Sequence, residues 1–449
     1  MQPALASPVP AAPAKAKNAR PSPFPSIKLQ MFGAIFMQRL GMNLNIGGQL
    51  FPFPLSLAIT PAVIGWNLAV GNAVLPMQRL VPYILFVAAM ALSALVNHGG
   101  MSLMSLFLVA GIYAMFLCPI ALDEPGYMRF FRMIANVSSI ICLLGAAQYV
   151  VQFLWSPAWL FSWRTIVPAN FLIEFNTLNE INYGSQIYKA NGFFLMEASY
   201  QSQMAARALL ISIFILRDFR YLVPLGIGLL TAYSGTGIVL FGIFGALPLL
   251  IAMMRDRRFS MIFPILVLLA PVAVILLWSR LNLDLFVDRL GEINDERSSA
   301  YARFVTGQIM LRIFSASDFV TLAFGAGPGA GASFQAQVQS GGDTFASTWI
   351  KLLLEYGLCG FLAFMVFFFT CMRHTLRSAW LAAAFTFHFF VLDGGFAVPQ
   401  QAFLSLFLGA FVCHRRSGDP QSPTWPAFGR QPMRPPSSSA TGSPSRPPG

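Results

Sequence analysis

Charged residues are scarce in this chain. Asp, Glu, Lys and Arg make up 10% of its 449 residues, where a soluble domain carries about 25%. That shortage excludes an ordinary water-soluble globule. Histidine is rarer still, with four residues and no HExxH pair, and none of the five cysteines stands in a CxxC spacing. Neither a metal site nor a disulfide framework is indicated. The net charge of +12 is dispersed, and no strip alternates basic residues with aromatics, so nucleic acid is not the partner. Residues 1–27 hold Lys15, Lys17 and Arg20 but no apolar core of a signal peptide. The glycine-rich "GAGPGAGA" has no Lys-Ser/Thr after it, which argues against a nucleotide-binding P-loop and leaves a flexible loop near the membrane as the plain reading.

What the chain has instead is apolar residues, 56% of the total, in runs of about 17–25, the length that crosses a bilayer. Candidate spans fall at 29–47, 51–71, 80–97, 101–121, 131–154, 199–216, 219–235, 236–254, 259–278, 346–371, 378–392 and 397–413. The stretch from Phe219 to Met254 is too long for one helix, and "SGTG" at 234–237 supplies a break for two. The expectation is an all-α polytopic transmembrane bundle of about twelve spans. Basic residues at Lys28, Arg79, Arg129, Arg132, Arg217, Arg220, Arg255, Arg373, Arg377 and Arg415 would mark cytoplasmic ends. Both termini then lie inside, as disordered tails over 1–27 and 417–449. Between them, 28–416 forms the membrane domain.

Two large loops fall outside, at about 155–198 and 279–345. The first carries Trp155, Trp159, Trp163, Arg164, Tyr183, Tyr188 and Lys189; the second carries Arg280, Arg289, Arg297, Arg303 and Arg312. Five external arginines run against the positive-inside trend and point to an anionic ligand. The competing reading is a solvated loop balanced by Asp284, Asp288, Glu292, Asp295 and Glu296.

"GFFLMEASYQSQMAARALLISIFIL", from Gly192 to Leu216, puts Arg207 inside a run suited to lipid. An intramembrane charge is costly and calls for a function. Ser199, Gln203 and Arg207 are four apart and share a helix face. Arg207 lies about 12 Å along from Ser199. Its side chain leans back toward the helix start, where Glu197 sits. The pattern describes a polar cleft opening outward with a guanidinium at its base, a group suited to phosphate oxygens. A structural pairing with a neighbouring helix is the alternative.

"MEASYQSQMAARALLISIFIL", "TAYSGTGIVLFGIFG", "RFVTGQIMLRIFSASDFVTLAFGAGPG" and "DTFASTWIKLLLEYGLCGFLAFMVFF" follow one another in the order seen in the O-antigen ligase and Wzy-type polymerase superfamily. The chain resembles that superfamily over roughly 190–370, and elsewhere by helix pattern alone. The resemblance implies a multi-pass enzyme of the bacterial inner membrane with its site facing the periplasm. Its substrate would be oligosaccharide carried on undecaprenyl diphosphate, with no nucleotide sugar, metal or other cofactor. Membrane lipid is the surrounding partner, and chain-length-regulator and export proteins are compatible further ones. Arg207 matches the intramembrane arginine near the donor diphosphate. Arg303 matches the large-loop arginine some 22 residues before the glycine-rich stretch. The ligase branch has a histidine before "LLLEYG"; here the position is Ala346, followed by Ser347, with no histidine between His98 and His374. That departure favours the polymerase branch, most similar to exopolysaccharide polymerases of the xanthan type.

The expected chemistry assigns Arg207 and Arg303 to the leaving diphosphate. Glu197 and Asp343 are the candidate bases for the attacking hydroxyl. Gln203, Arg289, Arg297, Arg164 and Trp163 are expected to bind substrate. Interfacial salt bridges explain Glu197 and Asp343 as an alternative. Two rival functions stand beside this one: a ligase of the same superfamily, and a transporter or flippase of lipid-linked glycan. Internal repeats, frequent in transporters, are not found.

Overall fold

The computed structural model describes residues 21–46, 49–97, 102–155, 160–174, 177–181, 186–255, 301, 305–331, 333–334 and 346–415. These residues are mostly helical. The predicted span 259–278 and most of the second large loop lie outside them, as do residues 1–20 and the tail 417–449.

Among the described residues, three helices are long and apolar enough to cross a membrane: α3 (Met77–Val96), α5 (Glu124–Val151) and α12 (Thr348–Leu376). Five shorter apolar helical stretches lie among the described residues, at 55–69, 103–117, 219–231, 235–251 and 379–392. α3 shows why such helices suit lipid. Phe86 and Met90 are fully buried, while Ile84, Leu85 and Leu95 on the other face are more than half exposed. A helix that is apolar all round has no face for water.

The first predicted span needs correction. Helix α1 (Phe24–Met31) begins inside the segment read as tail, and a wider π turn carries it to Phe36. The chain then leaves the helix at Gln38 and Arg39. Strands β1 (Gly41–Ile46) and β2 (Gln49–Pro54) follow, paired antiparallel with Gly41 opposite Pro54. The polar pair is what ends the helix. Gln38 donates to the Ala34 carbonyl and accepts from Met196 N–H. Arg39, fully buried, donates to the carbonyls of Phe161 and Leu195.

α2 (Leu55–Ala69) and α4 (Leu103–Ala114) come next around α3. A short strand β3 (Ile120–Leu122) precedes α5, whose start is fixed by Asp123 accepting from Gly126 N–H. α6 (Ala198–Ile211) extends as a π turn to Leu216. Every residue of α6 itself is buried. α7 (Leu222–Thr231) and α8 (Gly235–Phe241) meet at the expected "SGTG" break. There Ser202 of α6 donates to the Ser234 carbonyl and accepts from Gly237 N–H. α9 (Leu247–Arg255), α10 (Gly307–Ser315) and α11 (Phe319–Phe324) follow. After α12 come α13 (Ala379–Phe387), α14 (Pro399–Gly409) and β4 (Val412–His414). β4 pairs in parallel with β3.

Arg79, expected at a cytoplasmic end, is completely buried. It donates to the carbonyls of Phe116, Ala410 and Cys371 and to Thr375 Oγ1. It therefore ties four segments together. The glycine-rich stretch also departs from the flexible loop expected of it. Ala326 N–H donates to the Leu354 carbonyl and Gly327 N–H to the Glu355 carbonyl. Those carbonyls are free because α12 breaks at Gly357, whose φ of 63° and ψ of −169° are non-helical.

Candidate functional site

A cavity of about 750 Å³ opens at the start of α6, within the range of small-molecule sites, about 300–1,000 Å³. Leu108 of α4 and four other parts of the chain line it. Glu197, Ser199, Tyr200 and Gln203 come from the α6 entry; Arg164 and Glu174 come from the first large loop. Asp393, Gln400 and Gln401 come from the turn into α14, and Asn43 and Pro52 from the hairpin β1–β2.

Local sequence explains the placement. Glu197 has an extended backbone as the residue preceding α6, so its side chain sits at the mouth. Ser199 and Gln203 lie one turn apart on the same face. Pro399 starts α14, where its missing N–H costs nothing, and places Gln400 and Gln401 in the first turn. Asp393 follows a π turn, His388–Leu392. It is held from several directions: its carbonyl accepts from Thr348 N–H and Oγ1, and its Oδ1 accepts from Gly395 N–H.

Arg207 does not line the cavity. It lies one turn beyond Gln203 and is 1% exposed. Nη1 donates to Ser405 Oγ at 2.9 Å and Nη2 to His388 Nδ1 at 2.8 Å. Its guanidinium lies 5.4 Å from the Phe385 ring centre. A guanidinium only donates, so His388 Nδ1 must accept, and the imidazole proton sits on Nε2. Arg207 Nε has no hydrogen-bond partner among the described residues.

Of the residues expected from sequence, Glu197, Gln203 and Arg164 come together in the cavity. Arg164 pairs with Glu174 at 3.3 Å. Trp163 is not part of the lining; it is buried against Phe193 and Phe194, with Arg39 5.3 Å from its ring centre. Arg303, Asp343, Arg289 and Arg297 lie outside the described residues. Sequence reasoning missed Asp393, Glu174, His388, Gln400 and Gln401. For Asp393 a signal existed: it is the only acid between Glu355 and Asp419, and an acid inside an apolar stretch calls for a function. No family model matches the chain, and neither a curated protein nor a solved structure matches it.

Proposed function

We propose that this chain polymerises undecaprenyl-diphosphate-linked oligosaccharide repeat units into exopolysaccharide or O-antigen at the periplasmic face of the bacterial inner membrane. The observation that carries the reading is the cavity at the start of α6. It gathers Glu197 and Gln203 of the "MEASYQSQ" stretch with Arg164 of the first large loop and Asp393 near the last helix. Arg207 lies one turn deeper on the same helix.

In the proposed reaction a sugar hydroxyl of one lipid-linked unit attacks the anomeric carbon of the glycan on another. The new C–O bond forms, the bond to the diphosphate breaks, and the hydroxyl proton passes to a carboxylate. Glu197 and Asp393 line the cavity and are the proton acceptors this reading names beside Asp343. Arg207 and Arg303 supply positive charge for the departing diphosphate. Arg207 would exchange its bond to Ser405 or His388 for one to a phosphate oxygen.

The reading includes the twelve-span topology, with 155–198 and 279–345 in the periplasm and both tails in the cytoplasm. Reporter fusions after residues 180, 310 and 425 test it. Periplasmic activity is expected at 180 and 310 and cytoplasmic activity at 425; a periplasmic signal at 425 overturns the span count.

Deleting the gene and sizing the lipid-linked glycans tests the function itself. The expected result is loss of polymer with accumulation of the single-repeat lipid intermediate. Finished polymer stranded on the lipid would identify a ligase instead. Single repeats trapped on the cytoplasmic side would identify a flippase.

A further inference from the structure

Asp393 lines the cavity yet is only 2% exposed. A buried carboxylate stays charged only where cations or donors offset the lost water. Its turn is built against the first turns of α12. Thr348 N–H and Oγ1 donate to the Asp393 carbonyl, and Gly395 N–H donates to Asp393 Oδ1 at 2.8 Å. Lys351 Nζ donates to the Gly394 carbonyl at 3.0 Å. Lys351 thus binds the residue next to the carboxylate, and its ammonium also lies within electrostatic reach of Asp393 itself. An ionisable residue in a helix apolar enough for a bilayer calls for a partner or a function.

The charged and titratable groups facing Asp393 come from several elements. α12 supplies Lys351 and, one turn on, Glu355, which interact with each other. The Glu355 carboxylate is held by N–H groups of Gly329 and Gly331 in the glycine-rich stretch. α6 supplies Arg207, also within electrostatic reach of Asp393, and Glu197 stands at the α6 entry on the same cavity. The π turn before Asp393 carries His388, whose Nδ1 accepts from Arg207 and whose ring is therefore neutral. α4 supplies Tyr113, whose hydroxyl donates to the Phe396 carbonyl. Elsewhere in the lining Glu174 is engaged by Arg164, Ser162 and Trp163 N–H, with Arg39 at 4.0 Å. Two cations, Arg207 and Lys351, therefore act on Asp393. When Arg207 turns to a phosphate oxygen, Lys351 is the one of the two that remains.

We propose that Asp393 is the proton acceptor of the reaction and that Lys351 is its positioning residue, fixing the turn that carries the carboxylate and keeping it ionised for the incoming hydroxyl. The proposal rests on the glycan-polymerising reading for the reaction. Lys351 keeps its own proton throughout; the hydroxyl proton passes to Asp393 as the new C–O bond forms and the bond to the diphosphate breaks.

The test uses the full chain in lipid nanodiscs and has two readouts. One is amidation of Asp393 by a water-soluble carbodiimide and glycine ethyl ester, mapped by mass spectrometry across pH; the carbodiimide reacts with the protonated carboxyl. The other is the pH profile of polymer formation from the lipid-linked single-repeat fraction of a gene-deletion strain. Asp393 accepts a proton only when ionised, so the rate falls on the acid side as the carboxylate protonates. Lys351→Gln keeps a donor for the Gly394 carbonyl and removes the charge. It is expected to move the onset of amidation and the acid limb of the rate upward by about one pH unit. Lys351→Arg restores the charge and is expected to bring both back toward their wild-type positions. Glu355→Gln keeps an oxygen for the glycine N–H groups and removes a negative charge, so both should move downward; it carries the test if Lys351→Gln fails to fold. A Lys351 that acts only through its hydrogen bond to Gly394 predicts no shift in Lys351→Gln. Unmoved profiles, or amidation that moves while the acid limb stays, overturn the proposal. Wild-type protein that makes no polymer from that fraction, with amidation still moving in Lys351→Gln, sinks the polymerase reading and the acceptor role with it. Normal wild-type polymer formation beside unmoved amidation sinks the Lys351 proposal alone.

Discussion

Arg207→Lys is expected to lower polymer yield by about a hundredfold at matched protein level, the scale on which removal of one charge-stabilising donor slows a reaction. The reason is geometric. One guanidinium reaches both Ser405 and His388 through separate nitrogens. A lysine ammonium keeps the charge but has a single nitrogen and no planar fork. Arg207→Ala goes further and leaves Ser405 and His388 without their donor, a stability cost of about 1–3 kcal/mol for such a loss. Ser405→Ala separates the two roles. It removes one anchor and leaves the charge, so a purely structural Arg207 predicts losses like those of Arg207→Lys. A diphosphate-binding Arg207 predicts a much smaller loss. Pairing Arg207→Ala with Arg303→Ala extends the test, because residues acting on one leaving group are non-additive. The double variant should cost little more than the worse single one, with Arg280→Ala and Arg312→Ala mild. Normal polymer from normally expressed Arg207→Ala would remove Arg207 from the chemistry.

The second large effect is on folding. Gly357→Ala is expected to abolish recovery of folded protein. Gly357 has φ 63° and ψ −169°, a region open essentially to glycine alone. A Cβ there would stand 2.4 Å from the Ala323 carbonyl oxygen. Gly325, at φ 83° and ψ 178°, is the reciprocal case, since its Cβ would stand 2.4 Å from the backbone of Glu355 and Tyr356. Each glycine is the space the other segment occupies, so either substitution should separate the "FGAGPG" stretch from α12. The control is Gly65→Ala in α2, where a Cβ meets nothing within 4 Å. That change should be neutral or stabilising by about 0.5–1 kcal/mol. Size-exclusion yield and the melting temperature in detergent distinguish the outcomes. A monodisperse Gly357→Ala with unchanged melting would show that the break is not required.

How much of this was readable in advance depends on range. The "SGTG" break was legible because turn residues interrupt an apolar run locally, and helices α7 and α8 do part there. The hairpin β1–β2 left a weaker trace. Asn43 and Asn45 alternate with Met42, Leu44 and Ile46 ahead of Gly47-Gly48, a hairpin signal that overall apolarity outweighed. The shared face of Ser199 and Gln203 followed from helical spacing, and both line one cavity. The partners of Arg207 could not be read, since His388 lies 181 residues away. No local pattern reports which of many buried side chains a guanidinium will reach. The partners of Arg79 were unreadable for the same reason, since the carbonyls it reaches lie 37 to 331 residues away.

That Arg79 knot imposes an order on biosynthesis. Its guanidinium needs the carbonyl of Ala410, 331 residues further along the chain. Ribosomes deliver about 5–20 residues per second, so the nascent chain waits roughly 15–65 s for that acceptor. Strand β3 waits likewise for β4. Throughout that interval the early helices hold an arginine whose partners at Cys371, Thr375 and Ala410 have not all been made. Closure of the fold is thus a late, post-insertion event, and a ribosome stalled before residue 410 leaves the knot untied.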